Sequence, residues 1–96
     1  MNPIFQLFSA AVTGDLPGME RWIRAGISVN VTSDDGKTPL MAAAAAGHHR
    51  LVKRLIQLGA DIRAADPRGV TALMIARHFG HRQVVDTLKT ALQSSR

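Results

Sequence analysis

With 96 residues and no cysteine, the chain is sized for one domain, and disulfides, thiolate metal sites and Cys nucleophiles are excluded. A chain this short hides only roughly 60–65% of the surface its unfolded form exposes, so regular packing must stabilise it and a buried cofactor has little room. The hydrophobic share of 46% and charged share of 20% exclude disordered and fibrous classes, and the net charge of +5 has to be judged by where the charges sit.

The N-terminal stretch Met1-Asn2-Pro3-Ile4-Phe5 has no basic region followed by a long apolar run. No stretch approaches the roughly 20 apolar residues that a membrane span needs, so the chain reads as cytoplasmic or nuclear in type. Each predicted unit is a turn, a short helix, a tight turn and a longer helix. The first unit has Leu7 and Ala10-Ala11 on its first helix, Gly14 at the reversal, then Met19 and Trp22-Ile23 before Gly26.

In the second unit Asp35-Gly36 supplies a turn, Thr38 can cap a helix through its hydroxyl, and Pro39 suits the first helical position, where no amide donor is needed. A helix over Pro39–Ala46 follows, and Gly47 ends it, because a chain that reverses within two residues needs the left-handed conformation. The next helix, from about His49 to Leu58, carries Leu51, Val52, Leu55, Ile56 and Leu58 as an apolar stripe and stops at Gly59. The third unit repeats the plan through Gly69, Thr71, Leu73, Ala76, Gly80 and Leu88, and ends in the polar tail Gln93-Ser94-Ser95-Arg96.

These units share one period. Gly14, Gly47 and Gly80 stand 33 residues apart, as do Leu7, Leu40 and Leu73, and Ala10, Ala43 and Ala76. Trp22, Leu55 and Leu88 form a further ladder, which makes Trp22 a core residue. Phe8, Met41 and Met74 recur at the same interval and are expected to fill the core by thioether and aromatic packing between repeats.

Gly36, Thr38-Pro39-Leu40, Ala43-Ala44, Gly47-His48, Val52, Leu55-Ile56 and Gly59-Ala60-Asp61 together resemble the ankyrin repeat. The third unit matches through Gly69, Thr71, Leu73, Ala76, Gly80-His81, Val84-Val85 and Leu88, and the first more loosely, so the resemblance covers nearly the whole chain. It implies an all-α fold, an α-solenoid of three ankyrin-type helix-turn-helix repeats at approximately 1–32, 33–65 and 66–96. The histidine usual after Thr-Pro-Leu is absent, its place taken by the Phe8, Met41 and Met74 ladder. The first unit starts at its helix, and Arg77 stands where an internal repeat has a small alanine. Terminal repeats need a polar outer face, so Gln6, Ser9, Arg77 and the tail suit capping roles and the chain is expected to be a complete small monomeric protein.

The resemblance also assigns roles to polar residues. His48 and His81 occupy a position where a histidine packs and hydrogen-bonds at the start of the second helix, and Asn30 sits where an asparagine braces the turn. His78 and His81 straddle Gly80 without a third ligand nearby, so no metal or other cofactor is expected. No catalytic triad, phosphate loop or carboxylate pair can be assembled either, so the chain is read as a non-enzyme.

Function then falls to a surface. In ankyrin-like stacks, partners dock on the concave face made by the turn tips and one strip of the first helices. Position by position, that face comprises Thr32, Asp34, Asp35, Lys37, Ala45 and Ala46, then Ala65, Arg68, Val70, His78 and Phe79, completed by Ile4, Val12 and Thr13 from the first unit. Phe79 beside His78 and Arg68, next to a shallow depression at Ala45 and Ala46, has the makings of a binding hot spot. The expected role is an adaptor or inhibitor that holds another protein. The alternative is electrostatic binding of nucleic acid or an anionic surface by Arg50, Lys53, Arg54, Arg82 and Lys89 on the second helices. Nucleic acid is the weaker reading, because no aromatic or base-reading side chains interleave with these charges.

Overall fold

The computed structural model describes residues 2–94. Ser95 and Arg96, read above as part of a polar cap, lie outside the described residues. The described residues form six helices: α1 Pro3–Thr13, α2 Leu16–Arg24, α3 Pro39–Ala46, α4 His49–Gln57, α5 Ala72–Phe79 and α6 Arg82–Ser94. They pair as α1 with α2, α3 with α4 and α5 with α6; α1, α3 and α5 stack as one layer, and α4 packs on α6 in the other. The only extended pairing among the described residues is an isolated bridge between Ala65 and Thr71.

Helix starts follow from local chemistry. The hydroxyl of Thr38 accepts the Met41 amide at 3.2 Å, and that of Thr71 accepts the Met74 amide at 3.3 Å. Asn2 does the same for α1 with the Ile4 amide at 2.9 Å. Each cap satisfies one of the amides that a helix start leaves without a partner.

Helix reversals lock one repeat to the next. Gly14 and Gly47 adopt left-handed backbone at φ 82° and 76°. The ring of His48 then lies over Gly14 and donates from Nε2 to the Val12 carbonyl at 2.8 Å. His81 repeats the arrangement over Gly47, donating to the Ala45 carbonyl at 3.0 Å. In the first repeat the equivalent residue is Asp15, whose carboxylate instead caps its own helix through the Gly18 amide at 3.0 Å. Asn30 makes a second tie, donating to the Gly59 carbonyl at 3.3 Å while accepting the Asp61 amide at 2.7 Å.

The apolar ladders run through the middle. Leu7, Leu40, Leu55 and Leu88 are buried, with Ala10, Ala11, Ala43, Ala44 and Ala76 letting neighbouring helices approach, and Leu73 and Trp22 pack half-buried against them. Each buried leucine contributes about 1.5–3 kcal/mol. The Phe8, Met41 and Met74 ladder departs from its expected core role. Met41 is buried, Phe8 is half-buried, and Met74 is 49% exposed because among the described residues no helix covers that side of α5.

The ring-over-glycine packing sets an expected mutational asymmetry. A Cβ on Gly47 would stand 2.6 Å from the Nδ1 of His81, whereas one on Gly80 would meet nothing within 4 Å. Both glycines have positive φ. Gly80→Ala should therefore cost about 1 kcal/mol from backbone strain alone, and Gly47→Ala should cost more, about 2–3 kcal/mol. Urea denaturation of the two variants against the wild type measures the difference.

Candidate functional site

The turns that carry the proposed rim are built alike. In the turn at 33–37 the Ser33 amide donates to the Lys37 carbonyl at 2.9 Å, and in the turn at 66–70 the Asp66 amide donates to the Val70 carbonyl at 2.9 Å. Ser33 and Asp66 occupy equivalent positions 33 residues apart, and each side chain accepts amides of its own turn. Asp66 is the better acceptor, taking the Arg68 and Val70 amides on Oδ1 at 2.9 and 3.0 Å.

Its other oxygen reaches across the repeat boundary. Lys37 donates from Nζ to Asp66 Oδ2, forming an ion pair between consecutive turns whose carboxylate side chain is only 3% exposed. Pro67 packs over Gly36 in the same junction. Asp66 is thus buried within its turn, and Lys37 is tied down. The Lys37 ammonium and the Val70 amide, with the Arg68 amide, outweigh the effect of burial and lower the Asp66 pKa from 3.8 to about 2.

Inward of this rim lies an apolar hollow of about 420 Å³. Met41, Ala42 and Ala45 of α3 line it, with Phe8 on one side and Ile75 and Phe79 on the other, and Ser33 and Lys37 at the rim. Phe79 is 57% exposed. His78 meets it edge-on with ring centroids 4.9 Å apart, and His81 stacks on it at 6.2 Å. Phe79 therefore contacts two histidine rings of its own repeat while it still lines the hollow.

Of the residues predicted for the concave face, Lys37, Ala45 and Phe79 line this hollow. Thr32 and Asp34, with Ile4, line a second one of about 240 Å³ beside it. Asp35 is exposed and accepts the Ser33 hydroxyl. His78 braces Phe79; Arg68 and Ala65 are exposed in the third turn and Val70 is half-buried there. Ala46 lies outside the hollow, as do Val12 and Thr13, whose oxygens take part in hydrogen bonds at the end of α1. Sequence reasoning missed Ala42 and Ile75, and it placed Phe8 and Met41 in the core only. The alanine-rich run at 42–46 was the available signal, since small residues on an inner helix leave space between their larger neighbours.

The second helices present a mixed surface. Arg50, Lys53, Arg82 and Lys89 are exposed, but Arg54 is paired with Glu20 of α2. Between α4 and α6 a shallow groove of about 410 Å³ has Lys53 and Asp86 together in its lining. His49 is hydrogen-bonded to Thr87 at 2.6 Å, tying α4 to α6. Among the described residues no three His, Asp or Glu side chains gather as a metal-ligating group, and no helix is long and apolar enough to cross a membrane.

Three helix pairs with interlocked turns and a concave apolar hollow define a helical-repeat protein of the solenoid class. The family model for ankyrin repeats in three copies matches residues 7–94. The chain belongs to the ankyrin-repeat family, a family of domains that generally serve protein–protein interaction. None of the curated proteins compared with the chain matches it.

The buried Asp66 carboxylate gives the turn junction a defined acid limit. Its folded pKa lies below the ordinary value, so its stabilising effect is complete above about pH 4 and fades as the pH falls toward 2. The stability difference between the wild type and Asp66→Asn should be level from neutral pH down to about 4 and shrink below it. Chemical denaturation of both proteins across that range reads the difference, and one that stays constant to the acid end would remove the assignment.

Proposed function

We propose that the chain is a non-enzymatic adaptor or inhibitor that holds a protein partner on the concave face formed by its turns and first helices, in the cytoplasm. The observation that carries this reading is the exposed Phe79 ring at the edge of an apolar hollow, inside a rim of fixed turns. Aromatic side chains beside a dry pocket supply most of the energy in typical protein interfaces. Ala42 and Ala45 keep the pocket open, and the Lys37–Asp66 pair holds its rim.

The family favours the same reading, because ankyrin domains typically bind and do not catalyse. Electrostatic binding by the second helices has less to support it, since Glu20 neutralises Arg54 and Asp86 shares a groove with Lys53.

Phe79→Ala combined with Arg68→Glu should abolish capture of the partner from the native cell while the helical circular dichroism stays at the wild-type level. Arg68 is exposed, so its change should shift stability by less than about 0.5 kcal/mol, and loss of the Phe79 ring contacts should cost about 0.5–1.5 kcal/mol, too little to unfold the helices. Undiminished capture by the double variant would sink the proposed site. Capture lost only at high salt would move the function to the second helices.

A further inference from the structure

The two hollows on this face lie side by side and together form a groove with two different ends. They share Phe8 and Ser33 in their linings, so the space over α3 adjoins the space over the start of α1. The first end is almost wholly apolar, floored by Met41 and flanked by Ile75 and Phe79. The second is lined by the apolar Ile4 and Phe5 of α1 together with the polar Asn2, Thr32 and Asp34. Asp34 is exposed and makes no ion pair among the described residues. Its neighbour Asp35 is already engaged by Ser33, and Lys37 is already engaged by Asp66. The charge left facing the groove at this end is negative.

We infer that the groove takes a basic-apolar segment of a protein partner, with a bulky apolar side chain in the hollow over α3 and an Arg or Lys stem along Phe5 and Phe8 whose charged head reaches Asp34. The inference rests on the concave-face reading above and adds the chemistry of the partner. Long basic side chains suit such a site, because their methylene stems cover apolar surface while the charged end stays in water. Neighbouring packed helices stand about 8–10 Å apart, which sets the separation of the two side chains on the partner. An extended segment spans that distance in about three residues.

The chain's overall charge of +5 works in the opposite direction, favouring acidic partners at long range. Screening decides between the two effects. At physiological salt the field of distant charges fades over about 8 Å, whereas Asp34 is part of the groove lining itself. The local carboxylate therefore determines which side chain is accepted, and the wider field affects how fast a partner arrives.

The test is a selection of short random peptides displayed on phage against the full chain, followed by fluorescence anisotropy on synthetic versions of the enriched sequences. The expected consensus pairs a large apolar residue with Arg or Lys. Asp34→Lys, a change at an exposed turn position, should weaken the Arg-bearing peptide about fivefold and favour its Glu counterpart. Selected peptides that keep the apolar residue but show no basic preference, or whose affinity ignores Asp34→Lys, overturn the inference and leave the concave-face reading standing. Enrichment of acidic peptides, or of none, also overturns it. Peptides that bind Phe79→Ala as well as wild type overturn both. A concentration-dependent dimer broken by Phe79→Ala would show that a second copy of the chain fills the groove instead.

Discussion

Everything in this stack depends on a histidine ring seated on a glycine. A reversal between two helices leaves carbonyls at the end of the first helix without intrahelical partners. His48 and His81 supply one such partner from the following repeat, and the ring can come close enough because Gly14 and Gly47 have no side chain and adopt left-handed backbone. One contact thus completes a helix end, fixes the distance between repeats and orients the next helix pair. It also explains why α4 starts without a side-chain cap: its N-cap residue, His48, has its ring hydrogen-bonded to the neighbouring repeat.

From that spacing follows the shape of the concave side. The first helices are held in one layer, and their alanines set how closely they approach. Where the equivalent side chains are covered, as at Met41, they fill; where they are not, as at Met74, they face outward. The hollow is the space left over α3 by small residues between the larger Phe8 and Phe79. It is a product of stacking, and no single repeat could form it.

This explains which parts of the structure could be read in the sequence. Leu7, Leu40 and Leu73, the Thr38 and Thr71 caps, and His48 and His81 all report demands that the backbone makes once per repeat, so a fixed interval exposes them. The bounds of α3 matched, and α4 closed one residue earlier than expected, at Gln57. The Lys37–Asp66 pair was not legible, because it joins different positions of consecutive turns, 29 residues apart, and periodicity compares only equivalent ones. Phe8 and Met74 misled for a related reason: an equal place in the repeat does not mean equal neighbours. Arg68 and Ala46 were placed by equivalence too, and neither lines the hollow over α3.

The tie between consecutive turns has a kinetic side. With Pro67 resting on Gly36 and Lys37 bonded to Asp66, the two turn tips move together, so little of the rim has to be ordered when something lands on it. Pre-ordered surfaces lose less entropy on association. Encounter is then governed by orientation and diffusion with no slow rearrangement, in the ordinary range of about 10⁵–10⁷ M⁻¹s⁻¹. On the proposed concave-face reading, partners competing for the rim would be sorted by residence time, with discrimination among them expressed in how long each stays.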